Sequence, residues 1–172
     1  MPSIRLFRTG KPTPNQWIIQ ESTSSKYFHC GIILDVNHID CILQATVTKS
    51  IYLSKIEPHD PNVEIFDIPI PGLTSEQVFE WGMTYCGHNY GVMDILLYPF
   101  RRAFHLKGNS SGFTCSELVA KLFLDKYDII MDRKNFKHLY MTASWYDLKD
   151  FLDANARSEL TPSDLAFLFK AP

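Results

Sequence analysis

Apolar positions follow two rhythms along this chain. Up to Pro71-Gly72 they come in short runs rich in β-branched and aromatic side chains, broken by Pro, Gly, Asn and Asp. Runs of that kind predict strands over 4–8, 17–20, 27–36, 41–48 and 63–68. The third run is apolar on both faces (Phe28, Ile32, Ile33, Leu34), as in a central strand covered on two sides. In the fourth, Cys41, Leu43, Ala45 and Val47 alternate with Ile42, Gln44 and Thr46, so its two faces differ in character. Beyond Pro71-Gly72 the spacing lengthens to three and four. Thr74 with Gln77 predicts a capping box, opening a helix through Val78, Phe79, Trp81 and Tyr85 that stops at Gly87. Helical spacing also covers 92–104, 114–125 and 145–155, and Thr161-Pro162 opens a last short helix with proline where its missing N–H is harmless. Strands followed by helices around one core predict an α+β chain, an antiparallel sheet packed against helices.

Length and charge narrow the function classes. A chain of 172 residues is expected to form a single domain, 1–172, and 45% hydrophobic residues supply its core. The formal net charge of -2 argues against a nucleic-acid partner, which requires a strong basic excess. A local cluster of Arg101, Arg102, His105 and Lys107 reads as the basic C-terminal end of the helix over 92–104. No run reaches the ~20 apolar residues of a membrane span, so no integral membrane segment is expected. The first residues carry no apolar core and cleavage site of a secretory signal. The expected location is therefore the cytoplasm, although a phage protein or one released by lysis would equally lack a signal. Without secretion, the four cysteines read as free thiols.

One cysteine stands out by position. In "SSGFTCSELVAKLFLDKY" a loop-like run ends abruptly and Leu118, Val119, Leu122 and Phe123 mark a buried helical face. Thr114 or Ser111 caps that helix, which leaves Cys115 in its first turn. There the positive end of the helix dipole favours a thiolate, the nucleophilic form. A small residue packed under a loop would look the same from this stretch alone. A thiolate nucleophile needs a base. Of the six histidines, only His29 lies inside a strongly patterned strand, where an imidazole requires a partner. A tight hairpin over Val36-Asn37, or a four-residue variant, places odd residues of this strand opposite even residues of the next. Gln44 then lies opposite or diagonal to His29, its amide able to accept the Nδ1–H and so fix which ring nitrogen faces the thiol. Gly31, on the same face, leaves room for another element to approach. A rival reading takes His29, Cys30, His38 and Cys41 as zinc ligands, but His29 and Cys30 point to opposite strand faces.

"FHCGIIL", "ILQATVTKSI" and "GFTCSELVAKLF" together resemble the circularly permuted branch of the NlpC-like papain-fold superfamily, the YiiX/YaeF-like group. That group shows an H-x-G strand, a polar residue on the following strand and a C-S-E-L-V helix start. The similarity spans 4–124, and "TPSDL" at 161–165 is similar to the group's C-terminal signature. It implies a permuted papain-like fold and a cysteine peptidase or amidase with Cys115 as nucleophile, His29 as base and Gln44 as orienter. "CGHNYG" resembles the segment preceding the nucleophile, which would make Tyr90 an oxyanion or substrate group. No cofactor and no metal are implied. The substrate would be a peptide, a peptidoglycan peptide or an acyl lipid. A lipid acyl hydrolase or acyltransferase, and an inactive papain-like binding domain, are the alternatives within the same resemblance. Two departures stand out: Cys30 replaces an aliphatic residue, and Gln44 stands where many relatives carry glutamate. The oligomeric state is not legible in the sequence.

Overall fold

The computed structural model describes residues 1–23, 25–91, 112–130 and 161–168. Five strands, β1 (Ser3–Thr9), β2 (Tyr27–Val36), β3 (Ile39–Thr46), β4 (Ser50–Lys55) and β5 (Val63–Pro69), form one antiparallel sheet in the order β4-β3-β2-β1-β5. The α+β class and the central position of β2 follow the apolar pattern. Alternation divides the sheet into two faces. Ile4, Leu6, Cys30, Ile32, Leu34, Leu43, Ala45 and Ile51 point to an inner face and pack with Leu118, Val119, Leu122 and Phe123 in the main core. Phe7, Ile33 and Ile42 form a smaller outer cluster, against which Phe28, Ile56, Val63 and Ile65 are packed.

Two strand expectations change. The run 17–20 lies within helix α1 (Pro14–Thr23). Pro14 occupies its first position, Thr13 C=O accepts from Trp17 N–H, and Gln16 Oε1 accepts from Thr13 N–H at 2.8 Å. This T-P-N-Q start overrides the strand propensity of Trp17, Ile18 and Ile19. Conversely, the run expected over 41–48 ends at Thr46 as β3, and an unexpected strand, β4, follows after the chain reverses at Ser50, whose φ of 59° is left-handed. The β2–β3 hairpin turns over Asn37-His38, both at positive φ, with Val36 paired to Ile39. This is the primed two-residue turn, displaced by one residue from Val36-Asn37.

Helix α2 (Ser75–Met83) carries the expected capping box, with Thr74 accepting from Gln77 N–H and Gln77 reaching back to Thr74 N–H. It ends earlier than expected; Tyr85 lies in the turns that follow, which close at Gly87 (φ 88°). Helix α3 (Cys115–Asp125), a single turn α4 (Tyr127–Ile130) and α5 (Pro162–Leu168) complete the described elements. Thr161 and Asp164 cap α5 reciprocally, with Pro162 first as the sequence predicts. Helices α2, α3 and α5 pack on β2, and α3 also reaches β3. The expected helices over 92–104 and 145–155, and the basic cluster at Arg101, Arg102, His105 and Lys107, lie outside the described residues.

Candidate active site

The site begins where the β2–β3 ladder stops. Pairing runs from Val36↔Ile39 to Ile32↔Leu43 and no further. In a two-residue hairpin the pair next to the turn exchanges both of its hydrogen bonds, so even-numbered residues of β2 turn their N–H and C=O towards β3. Cys30 would be next. It is instead fully buried in the inner core with Cys115. On the other edge, β1 pairs Phe7 with His29 and Arg8 with Tyr27, so Phe28 is an extra residue. This bulge lets Tyr27 and Cys30 both reach the inner core while Phe28 packs against the outer cluster. The glycine at 31 does not admit another element. A Cβ there would meet Ile42 Cδ1 at 2.7 Å, so the space is filled by β3 itself.

His29, Gln44 and Tyr52 form a chain of contacts. His29 Nε2 lies 2.7 Å from Gln44 Oε1, and Gln44 Nε2–H donates to Tyr52 Oη at 2.9 Å. Continuing the β2–β3 register puts Gly31 across from Gln44, so Gln44 is diagonal to His29; Tyr52 is its direct cross-strand partner on β4. The orienting contact is therefore made through Nε2, not Nδ1, and Nδ1 is the nitrogen left for the hydrogen bond between His29 and Cys115. The Phe7 ring packs against the imidazole with centroids 5.3 Å apart.

Cys115 is the first residue of α3. Thr114 is the cap: its Oγ1 accepts from Glu117 N–H, and Glu117 Oε2 accepts from Thr114 N–H at 2.6 Å. The E of C-S-E-L-V thus has a mechanical explanation, since this carboxylate closes the capping box that fixes the helix start. Cys115 is buried, only 4% exposed. The Cys30 thiol hydrogen bond lowers its pKa most; burial opposes this, and the hydrogen bond and charge of His29 with the Cys30 N–H bring it well below the ordinary thiol value. For His29 burial pulls the pKa down, but the Cys115 hydrogen bond and charge and the Gln44 hydrogen bond outweigh it and leave it raised. Both shifts favour an imidazolium–thiolate pair. Cys30 moves the opposite way, its thiol held protonated by burial and by the neighbouring thiolate.

Tyr90, far from Cys115 in sequence, is brought beside it by backbone pairing. Phe113 N–H donates to Asn89 C=O at 2.9 Å and Gly91 N–H to Phe113 C=O at 3.1 Å, a parallel bridge between Tyr90 and Phe113. Gly112 permits this approach: a Cβ there would stand 2.6 Å from Asn89 O and 2.7 Å from the Tyr90 carbonyl carbon. Burial first, then the charges of Cys115, Cys30 and Glu117 and a hydrogen bond to Cys115, raise the Tyr90 pKa strongly. Its hydroxyl remains a donor.

A scan against protein-family models and a search of curated proteins matched nothing. The four residues expected from sequence, Cys115, His29, Gln44 and Tyr90, are brought together. Tyr52, Glu117 and the contacts of Cys30 were missed, although the T-x-x-E pattern at 114–117 was readable. A cleft of about 380 Å³ opens beside Phe7, His29, Gln44 and Tyr52 on the outer face, and Cys115 does not line it. Of the four residues in the zinc reading, His38 lies in the hairpin turn at the far end of β2 from His29. Among the described residues no group of three or more His, Cys, Asp or Glu side chains is placed to hold a metal ion.

Proposed function

We propose that this protein is a cysteine peptidase or amidase on a permuted papain-like fold, cleaving an acyl bond through a covalent thioacyl intermediate. The observation that carries the reading is His29 anchored at 2.7 Å to Gln44 Oε1 while it and Cys115 shift each other towards the charged pair. The Cys115 thiolate attacks the carbonyl carbon and forms a C–S bond while the carbonyl π electrons move to oxygen. The first-turn N–H of Cys115 and the Tyr90 hydroxyl are the donors for that oxyanion. His29 Nδ1 gives its proton to the leaving amine as the C–N bond breaks. Neutral His29 then takes a proton from water, which attacks the thioester and releases the acid and the Cys115 thiolate. An acyl ester or lipid thioester would pass through the same steps.

Alkylation of Cys115 by iodoacetamide across pH tests this. The expected profile has a reactive thiolate far below the free-thiol pKa of about 8.5, and His29→Ala removes that low-pH reactivity. If Cys115 titrates as an ordinary or buried thiol with and without His29, the enzyme reading fails and a binding domain takes its place.

A further inference from the structure

Gln44 differs from a carboxylate in one decisive respect: its two ends are nearly the same shape but opposite in hydrogen bonding. An imidazolium at His29 presents Nε2–H, so Gln44 must turn its oxygen inward. Its NH2 then needs an acceptor of its own. Tyr52 Oη stands 2.9 Å away from Gln44 Nε2, on the strand beyond and directly across from it. Gln44 and Tyr52 are both only half-buried, but the amide N–H reaches an oxygen of the chain itself rather than relying on solvent. Lys49 Nζ lies over the Tyr52 ring, 5.2 Å from its centroid.

We propose that Tyr52 is a positioning residue of this site, holding the Gln44 side chain where its Oε1 meets His29. It touches neither the thiol nor any reacting atom; it acts through Gln44. The proposal rests on the thiolate–imidazolium reading of the site, and it adds a fourth member reaching across three strands. Phenylalanine at 52 removes the acceptor of the amide N–H and frees the outer end of the Gln44 side chain. Because Tyr52 acts through Gln44, its hydroxyl should matter while residue 44 is glutamine and lose its effect when residue 44 is alanine.

The test is a four-way comparison of the full chain: wild type, Tyr52→Phe, Gln44→Ala, and both changes together. Two readouts are taken, Cys115 alkylation by iodoacetamide at pH 6 and the His29 Nε2–H signal in ¹⁵N-histidine NMR. Tyr52→Phe should slow alkylation about fivefold, the effect of losing one neutral hydrogen bond, and weaken the Nε2–H signal. On the Gln44→Ala background the same change should alter the rate by less than about twofold and leave the signal where Gln44→Ala alone puts it. An equal loss on both backgrounds would make Tyr52 a packing residue and overturn the proposal; so would no loss on either. If wild-type Cys115 has no low-pH reactivity, the enzyme reading fails by itself, and the NMR signal alone then decides the role of Tyr52.

Discussion

Cys30 is the residue whose importance the sequence concealed. In the sequence it is an ordinary strand cysteine; in the structure it is fully buried in the inner core with Cys115, and its thiol is the largest influence lowering the Cys115 pKa. Cys30→Val keeps the inner-face packing and removes the S–H donor. The expected outcome is alkylation of Cys115 about tenfold slower at pH 6, as befits one hydrogen bond to a charged group, with little change in Tm. On the proposed mechanism, Tyr90→Phe acts later in the reaction. Burst acylation by a p-nitrophenyl ester should fall about 100-fold, while low-pH alkylation, which forms no oxyanion, keeps most of its rate. His29, Gln44 and Cys115 were legible because each breaks its local pattern: a titratable group in an apolar strand, a polar one on a mixed face, a thiol at a helix start. Tyr52 and Cys30 break none. An aromatic and a cysteine are ordinary strand residues, and their roles come from neighbours that only pairing supplies.

At the level of elements, local chemistry was readable wherever caps or alternation spoke without competition. Thr74–Gln77, Thr161-Pro162 and the helix after Cys115 were placed by caps. At Thr13-Pro14 the cap was present but the β-branched and aromatic run after it dominated the reading, and β4 was hidden because the turn before it has no Gly, Pro or Asn. The bridge between Tyr90 and Phe113 was beyond sequence altogether, since it joins residues on either side of 92–111. It makes Gly112 the most constrained position of the site. Gly112→Ala sets a methyl group against backbone atoms that have nowhere to go, and is expected to lower stability by about 1–3 kcal/mol in urea denaturation and to slow Cys115 acylation. A second clamp lies at the other end of α3. Asp125 accepts from Trp81 Nε1–H at 3.0 Å, from Tyr85 Oη–H at 2.8 Å and from Lys121 Nζ at 2.6 Å, tying α3 to α2 and its following turn. Asp125→Ala leaves the buried Trp81 N–H without that acceptor, an expected loss of about 1–3 kcal/mol by the same assay.

For the whole molecule, the coupled pair makes both stability and reactivity depend on pH with opposite limbs. The Cys115 pKa is depressed in the folded state, so its contribution is present at high pH and is lost as pH falls through the folded value, well below 9.0. The His29 pKa is raised, so its contribution is present at low pH and is lost as pH rises through the folded value, above 6.5. Acylation should therefore follow a bell, with its acid limb set by Cys115 and its alkaline limb by His29. The Tm difference between wild type and Cys115→Ala, measured over a pH series, should track the same bell; a flat difference would mean the pair is not charged in the folded protein.

The site is also divided in chain order. His29, Gln44 and Tyr52 sit on one continuous three-strand meander, whose partners are close in sequence, whereas Cys115 arrives on a helix that must find the sheet from much further along. On the ribosome the meander is synthesised long before Cys115. When the thiol does emerge, it has neither Cys30 nor His29 to ionise it until α3 has docked. A nascent or misfolded copy therefore carries an ordinary thiol, and the lowered pKa arrives with the docking of α3 rather than with synthesis of the residue.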